Sequence, residues 1–193
     1  MLNPLKMITT MKKLVFAMMM CLTAAMAQAQ VLNKQTVSKA YDDAVMQNKC
    51  EFAYNAVYDG DAITTLFVYK KVQGRRGAVT LTPTHQYRYA YDADGRLLSR
   101  TTLRWHKGEW LTTGRLSYTT HLAAYSVEYS RWNPHRQQFD RPAEKMTYTL
   151  IGHCVVDHVY CYQRLKGKDD YQLMWQTVVV GLPVDDDNYL TQE

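Results

Sequence analysis

Residues 91–105 read Tyr91-Asp92-Ala93-Asp94-Gly95-Arg96-Leu97-Leu98-Ser99-Arg100-Thr101-Thr102-Leu103-Arg104-Trp105. A β-prone run ends in tyrosine, breaks at Asp-x-x-Gly, and restarts as a run of Leu, Thr and Trp. Gly95 can supply the positive φ of a tight turn, and the Asp92 carboxylate can accept hydrogen bonds from the turn backbone. Tyr91 and Trp105 are 14 residues apart, and the same interval separates Tyr118 from Trp132 and Tyr148 from Tyr162. After each second aromatic comes a polar turn of variable length, then another aromatic: Trp110, Phe139 and Tyr171. The unit is strand, tight turn, longer strand, looser turn. Residues 52–82 read as a degraded earlier copy, with Tyr58-Asp59-Gly60-Asp61 in the place of Tyr91-Asp92-Ala93-Asp94.

Further breaks fall at Gly74–Gly77, His106-Lys107-Gly108, Asn133-Pro134-His135 and Lys166–Asp170. Tight turns between strands join antiparallel neighbours; parallel strands need helix-length crossovers, and no segment here is long enough for one. The expected fold is all-β. An antiparallel β-meander of repeated hairpins forms a curved, partly open sheet, with one short N-terminal helix. The helix is expected within 33–48, capped by Asn33, because Val37, Ala40, Tyr41, Ala44 and Val45 follow three-four spacing. In 97–105, Leu97, Ser99, Thr101, Leu103 and Trp105 are expected on one face. Leu98, Arg100, Thr102 and Arg104 are expected on the other, which is read as solvated. In 124–132 the odd positions Tyr125, Val127 and Tyr129 look apolar.

The N-terminal stretch reads as a leader. Lys12 and Lys13 precede the apolar run Leu14–Leu22, and Ala27-Gln28-Ala29 offers a small-x-small cleavage site. The run is shorter than the roughly 20 residues that span a bilayer. The expected organisation is a signal peptide at 1–29, a helical segment at 30–50, a meander domain at 51–182 and an acidic tail at 183–193. Either Met1 or Met11 could be the start. Localisation is expected to be secreted or periplasmic, with no transmembrane segment after cleavage. The whole chain carries 23 Lys+Arg against 18 Asp+Glu; loss of Lys6, Lys12 and Lys13 leaves a net charge of +2. That balance, without clustering, argues against a nucleic-acid partner.

Two family resemblances can be read from these residues. Tyr91-Asp92-Ala93-Asp94-Gly95-Arg96-Leu97 resembles the YD-repeat unit of large secreted β-shell proteins. The turns at Thr119–Leu122 and Leu150–His153 depart from that pattern. A fuller likeness runs over roughly 85–180: the same block, then Leu116-Ser117-Tyr118, then Glu128-Tyr129-Ser130-Arg131-Trp132-Asn133, then Phe139-Asp140-x-Pro142-x-Glu144-Lys145. With the Lys-Lys leader, it is similar to an uncharacterised family of small secreted Bacteroides proteins, a domain of unknown function. The resemblance implies export and an all-β fold, and no catalytic residue.

Candidate chemistry is sparse. His153, Cys154, His158 and Cys161 are zinc-type residues, but on a strand Cys154 and His158 share a face while Cys161 points away. Cys154 and Cys161 would lie more than about 20 Å apart on one strand, too far for a disulfide. Cys50 pairing with one of them, or three free thiols, both remain open. Asp185-Asp186-Asp187-Asn188 lacks the spacing of a calcium loop. No strained nucleophile turn precedes a helix, and the sequence alone does not place Glu109, Glu128 and Glu144 within the glycosidase spacing of about 5–9 Å. An enzyme, a metal and a cofactor are not expected. What remains is aromatic: Trp105, Trp110, Trp132, Tyr118 and Tyr129 fall on adjacent strands and form either core or a face for a glycan or protein partner. Self-association through sheet edges is the alternative, and an uncharacterised hydrolase stands behind both. Oligomeric state is not legible.

Overall fold

The computed structural model describes residues 32–46, 51–74, 77–151, 155–165 and 167–179. The leader, Cys50, His153, Cys154 and the acidic tail lie outside the described residues. Helix α1 (Lys34–Met46) is followed by strands β1 (Phe52–Asp59), β2 (Ala62–Gln73), β3 (Val79–Tyr91), β4 (Leu97–His106) and β5 (Glu109–His121). Strands β6 (Ala124–Asn133), β7 (Gln138–Phe139), β8 (Glu144–Ile151), β9 (Val155–Arg164) and β10 (Tyr171–Val178) complete the order. They form one antiparallel sheet in the order β1-β2-β3-β4-β5-β6-β8-β9-β10, with the short β7 paired to the end of β6. The sheet is an open meander, as the spacing of turns implies.

Most of the described hairpin turns fall at Gly- or Asx-containing breaks; the β5–β6 turn, Leu122-Ala123, carries neither. In the Asp92 turn, Gly95 takes a φ of 77°. The Asp92 carboxylate accepts from the backbone N–H of Asp94 (3.0 Å) and Arg96 (2.8 Å) and from Arg96 Nε (2.7 Å). This turn also anchors the N-terminal segment. Leu97 N–H donates to Leu32 O at 2.7 Å, Lys34 N–H donates to Gly95 O at 3.1 Å, and the Lys34 stem lies over Gly95. Asn33 caps α1 reciprocally with Thr36: Thr36 N–H donates to Asn33 Oδ1 (3.0 Å) and Asn33 N–H to Thr36 Oγ1 (2.9 Å). Val37, Tyr41 and Ala44 are half-buried toward β1 and β2, whereas Ala40 and Val45 are exposed.

The ladder is interrupted by register shifts, and three of the extra residues are threonines: Thr64 in β2, Thr84 in β3 and Thr113 in β5. Each donates its hydroxyl to a carbonyl of the neighbouring strand at its bulge: Thr64 to Val57 O, Thr84 to Val68 O and Thr113 to Thr102 O, at 2.8–3.2 Å. Bulges bend a strand and sharpen its twist, so repeated bulges curve the sheet. Another bulge, at Leu98, moves Leu97 opposite Tyr91 and out of the set expected with Ser99, Thr101, Leu103 and Trp105.

Pairing register and strand alternation assign every side chain to one of two faces. One face carries Val68, Tyr118, Tyr125, Tyr148 and Val159, all buried. Tyr125, Tyr148, Val156 and Val159 form a core cluster against which Leu32, Val127, Met146 and Leu150 pack. This is the inner face. The outer face carries Phe67, Leu103, Trp105, Trp110, Ser126, Ser130, Tyr160 and Tyr162.

Candidate tyrosine-lined site

On the inner face, Tyr87, Tyr89 and Tyr91 come from β3, Tyr118 from β5, Tyr125 and Tyr129 from β6, and Tyr148 from β8. Tyr125 and Tyr148 are direct cross-strand partners, stacked with centroids 4.5 Å apart and planes 9° from parallel. The Tyr91 hydroxyl donates to Ile63 O at 2.9 Å. That end is closed by Leu32 and the core cluster. The other end is more open: Tyr87, Tyr89, Thr102, Leu116 and Tyr129 are half-buried. Gly114 forms its floor, and the Tyr129 ring lies against it.

Arg100 stands among these rings. Its guanidinium carbon is 4.9 Å from the Tyr87 ring centroid, a cation–π geometry. Its Nε is buried without a hydrogen-bond partner, and it makes no ion pair among the described residues. The reading of Leu98, Arg100, Thr102 and Arg104 as a solvated face is thus corrected: Leu98 and Arg104 are exposed, whereas Arg100 is half-buried. The reason is curvature, which brings tyrosines of neighbouring strands over a face that would be wet on a flat sheet.

Burial sets the protonation of these rings. It pushes the Tyr89 hydroxyl up to about 12, with the Arg100 charge pulling the other way. Tyr118 is raised by the same burial, again opposed by Arg100. Tyr148 is pushed up to about 12 by burial, with Tyr118 and Cys161 adding to the rise, and Tyr125 and Tyr91 are raised further. The buried phenols of this face therefore hold their protons, with the Arg100 guanidinium among them.

The five aromatics expected to act together are divided between the faces. Tyr118 and Tyr129 line the inner one. Trp105, Trp110 and Trp132 lie on the outer one, where Trp105 and Trp110 meet edge-on at 5.0 Å and Phe67 approaches Trp110 at 5.9 Å. Leu103, 3% exposed, belongs to the same outer patch. Trp132 meets Phe139 of β7 at 4.9 Å, and Arg115 lies 4.3 Å over the Phe139 ring. Sequence reasoning missed Tyr87, Tyr89 and Arg100. The signal was present in the alternation Tyr87-Arg88-Tyr89-Ala90-Tyr91, which puts three tyrosines on one face.

Among the described residues no cluster of His, Cys, Asp and Glu could hold a metal ion. His158 and Cys161 fall on opposite faces, and His158 Nδ1 lies 2.9 Å from Asp157 Oδ2. Cys161 is a free thiol raised by burial, with Glu144 adding to the rise. No helix among the described residues is long and apolar enough to cross a membrane.

Comparison with known proteins bears on fold and family. A protein of unknown function from Bacteroides fragilis NCTC 9343, solved by crystallography, superposes with a TM-score of 0.58 at 24% identity, over 69% of this chain and 96% of its own; the likeness is one of fold. A family protein from Bacteroides vulgatus ATCC 8482 matches with a TM-score of 0.42 at 22% identity, over 47% of this chain and 89% of its own. Another from Parabacteroides distasonis ATCC 8503 gives 0.40 at 17%, over 46% and 81%. No curated protein matches the chain. The model of DUF3836, a family of unknown function, matches residues 5–150, most of the chain, and the protein belongs to that family.

Proposed function

We propose that the protein is an exported, non-enzymatic binding module that receives a saccharide or protein ligand on its inner, tyrosine-lined face. The carrying observation is the gathering of Tyr87, Tyr89, Tyr118 and Tyr129 from three strands onto one face that is half-buried rather than sealed. Flat rings on a rigid sheet stack on sugar faces and anchor partner side chains at low entropic cost. Export is supported by the leader. A glycan array probed with the mature protein tests the reading: binding is expected to disappear in Tyr129→Ala and to survive in Trp105→Ala. Binding that survives Tyr129→Ala and disappears in Trp105→Ala moves the site to the outer face and contradicts it.

One further observation favours self-association as a second reading. Strand β10 pairs, among the described residues, with β9 alone. Its sequence Tyr171-Gln172-Leu173-Met174-Trp175-Gln176-Thr177-Val178 contains no charge and no proline, and Leu173, Met174, Trp175 and Val178 are exposed. Natural sheet edges usually carry such blocks against pairing. Sedimentation of wild type beside Trp175→Lys tests it: a dimer that dissociates in the variant supports the reading, and a concentration-independent wild-type monomer removes it.

A further inference from the structure

We propose that Arg100 is an anion-recognition point on the inner face and that the ligand is a carboxylate-bearing saccharide. This deepens the binding reading above and rests on it. A guanidinium removed from water without a carboxylate partner is an unfavourable arrangement that a ligand anion relieves. Arg100 is partly in that state among the described residues: the side chain is half-buried, its Nε is enclosed and unpartnered, and it makes no ion pair. The Tyr87 ring, 4.9 Å from the guanidinium carbon, holds the group in place, and a guanidinium fork recognises a carboxylate through two parallel hydrogen bonds.

The surrounding charge agrees. The other charged or histidine groups that register places on this half of the inner face are the basic types Lys70, His85, Arg104, His106 and Arg131, with two acids, Glu109 opposite His106 at the end of β5 and Glu144 on β8, neither in an ion pair with Arg100. Glu144 sits opposite Tyr129 and Gln163, three strands from Arg100, and forms no ion pair with it. The saccharide part of the assignment comes from the rings. Tyr129, flat against Gly114, and Tyr87, beside the guanidinium, offer aromatic surface on either side of Thr102, whose register partners are Tyr87 and Gly114. A bare inorganic anion would use the guanidinium and leave those rings idle, whereas a uronic acid ring engages both.

Calorimetric titration of the mature protein with glucuronate-containing and glucose-only oligosaccharides of matched length, and with inorganic phosphate, tests the assignment. The acidic oligosaccharide is expected to bind at least about tenfold tighter than the neutral one. The preference should vanish in Arg100→Gln, persist in reduced form in Arg100→Lys, and weaken as salt rises. Phosphate should bind far more weakly than the acidic sugar. Circular dichroism checks that each variant is folded; if Arg100→Gln is not, Arg100→Lys carries the comparison. Equal affinity for the acidic and neutral sugars, or a preference unchanged in both variants, overturns the role of Arg100 while leaving the binding face standing. Phosphate binding as tightly as the acidic sugar overturns the saccharide assignment. Failure of every saccharide to bind here and on the array overturns this inference together with the reading beneath it.

Discussion

The Tyr129 ring occupies the space that a side chain on Gly114 would fill: a Cβ built on Gly114 would stand 2.6 Å from Tyr129 Cε2 and 2.7 Å from its hydroxyl oxygen. Gly114 is not at a positive φ, so its role is clearance. The aromatic lies flat on the sheet because the strand beneath it has no side chain there.

Gly114→Ala is therefore expected to lift or displace Tyr129. Overpacking of this kind costs about 1–3 kcal/mol, which for a domain of this size lowers Tm by roughly 2–4 °C per kcal/mol. Combining it with Tyr129→Ala removes the clash, so thermal melts should show the double variant more stable than the sum of the single changes implies. Strict additivity would place the ring elsewhere.

The bulge threonines make a separate prediction. Thr84 Oγ1 donates to Val68 O at 2.8 Å; Thr84 is half-buried and Val68 buried. Thr84→Val keeps the shape and removes the donor, and should cost about 1 kcal/mol. Thr84→Ser keeps the donor and should recover part of that in denaturant titrations. Equal loss in both would mean that packing of the methyl, rather than the hydrogen bond, holds the bulge.

Alkaline titration reports the inner face. Tyr89 and Tyr148 have folded-state values raised to about 12 from the ordinary 10, and Tyr118, Tyr125 and Tyr91 are raised too. Raised values mean the folded protein holds these protons more tightly than the unfolded chain. Their stabilisation is complete below pH 10 and is lost as pH rises toward and past 12. Ultraviolet absorbance follows phenol ionisation against the ordinary value of about 10. The inner phenols should ionise later, together with loss of β-sheet dichroism. Ionisation of Tyr89, Tyr91, Tyr118, Tyr125 and Tyr148 at the ordinary value with the fold intact would contradict the buried face.

On the acid side the sign reverses. Hydrogen bonds from Arg96 hold the Asp92 carboxyl below its usual range, and those from Thr149 and His158 do the same for Asp157. Depressed values stabilise the fold above the unfolded carboxylate range and lose that contribution as pH falls through them. Glu144 is raised by burial, so its protonation on acidification works in the opposite direction. Asp92→Asn should therefore be less stable than wild type at neutral pH and should converge with it at low pH. A constant difference across the range would show that the Asp92 charge plays no part.

Much of the fold was legible because turns and repeats are local. The 14-residue interval carries a chain from one face to the other through a hairpin: Tyr91, Tyr118 and Tyr148 all point inward, and Trp105, Trp132 and Tyr162 all point outward. The third aromatic of each unit closes on the second in two cases, Trp110 on Trp105 and Phe139 on Trp132. In the third, Tyr171 lies instead under Arg164 at 4.6 Å, and its hydroxyl is 3.3 Å from Glu128 Oε1. Less legible were the consequences of curvature. Strand alternation gives a residue's side of the sheet, and a bulge reverses that count, as at Leu98. Nor does alternation say which side is enclosed, and so Arg100 reads as solvated in sequence and is half-buried in the fold.

The most direct test of the inner face as the ligand surface is a side-chain NMR titration of the mature protein with the tightest saccharide from the array. Tyrosine, tryptophan and arginine Nε signals would be followed together. Shifts concentrated on Tyr87, Tyr89, Tyr129 and Arg100, with Trp105, Trp110 and Trp132 unmoved, are the predicted result. Shifts confined to the three tryptophans would contradict it.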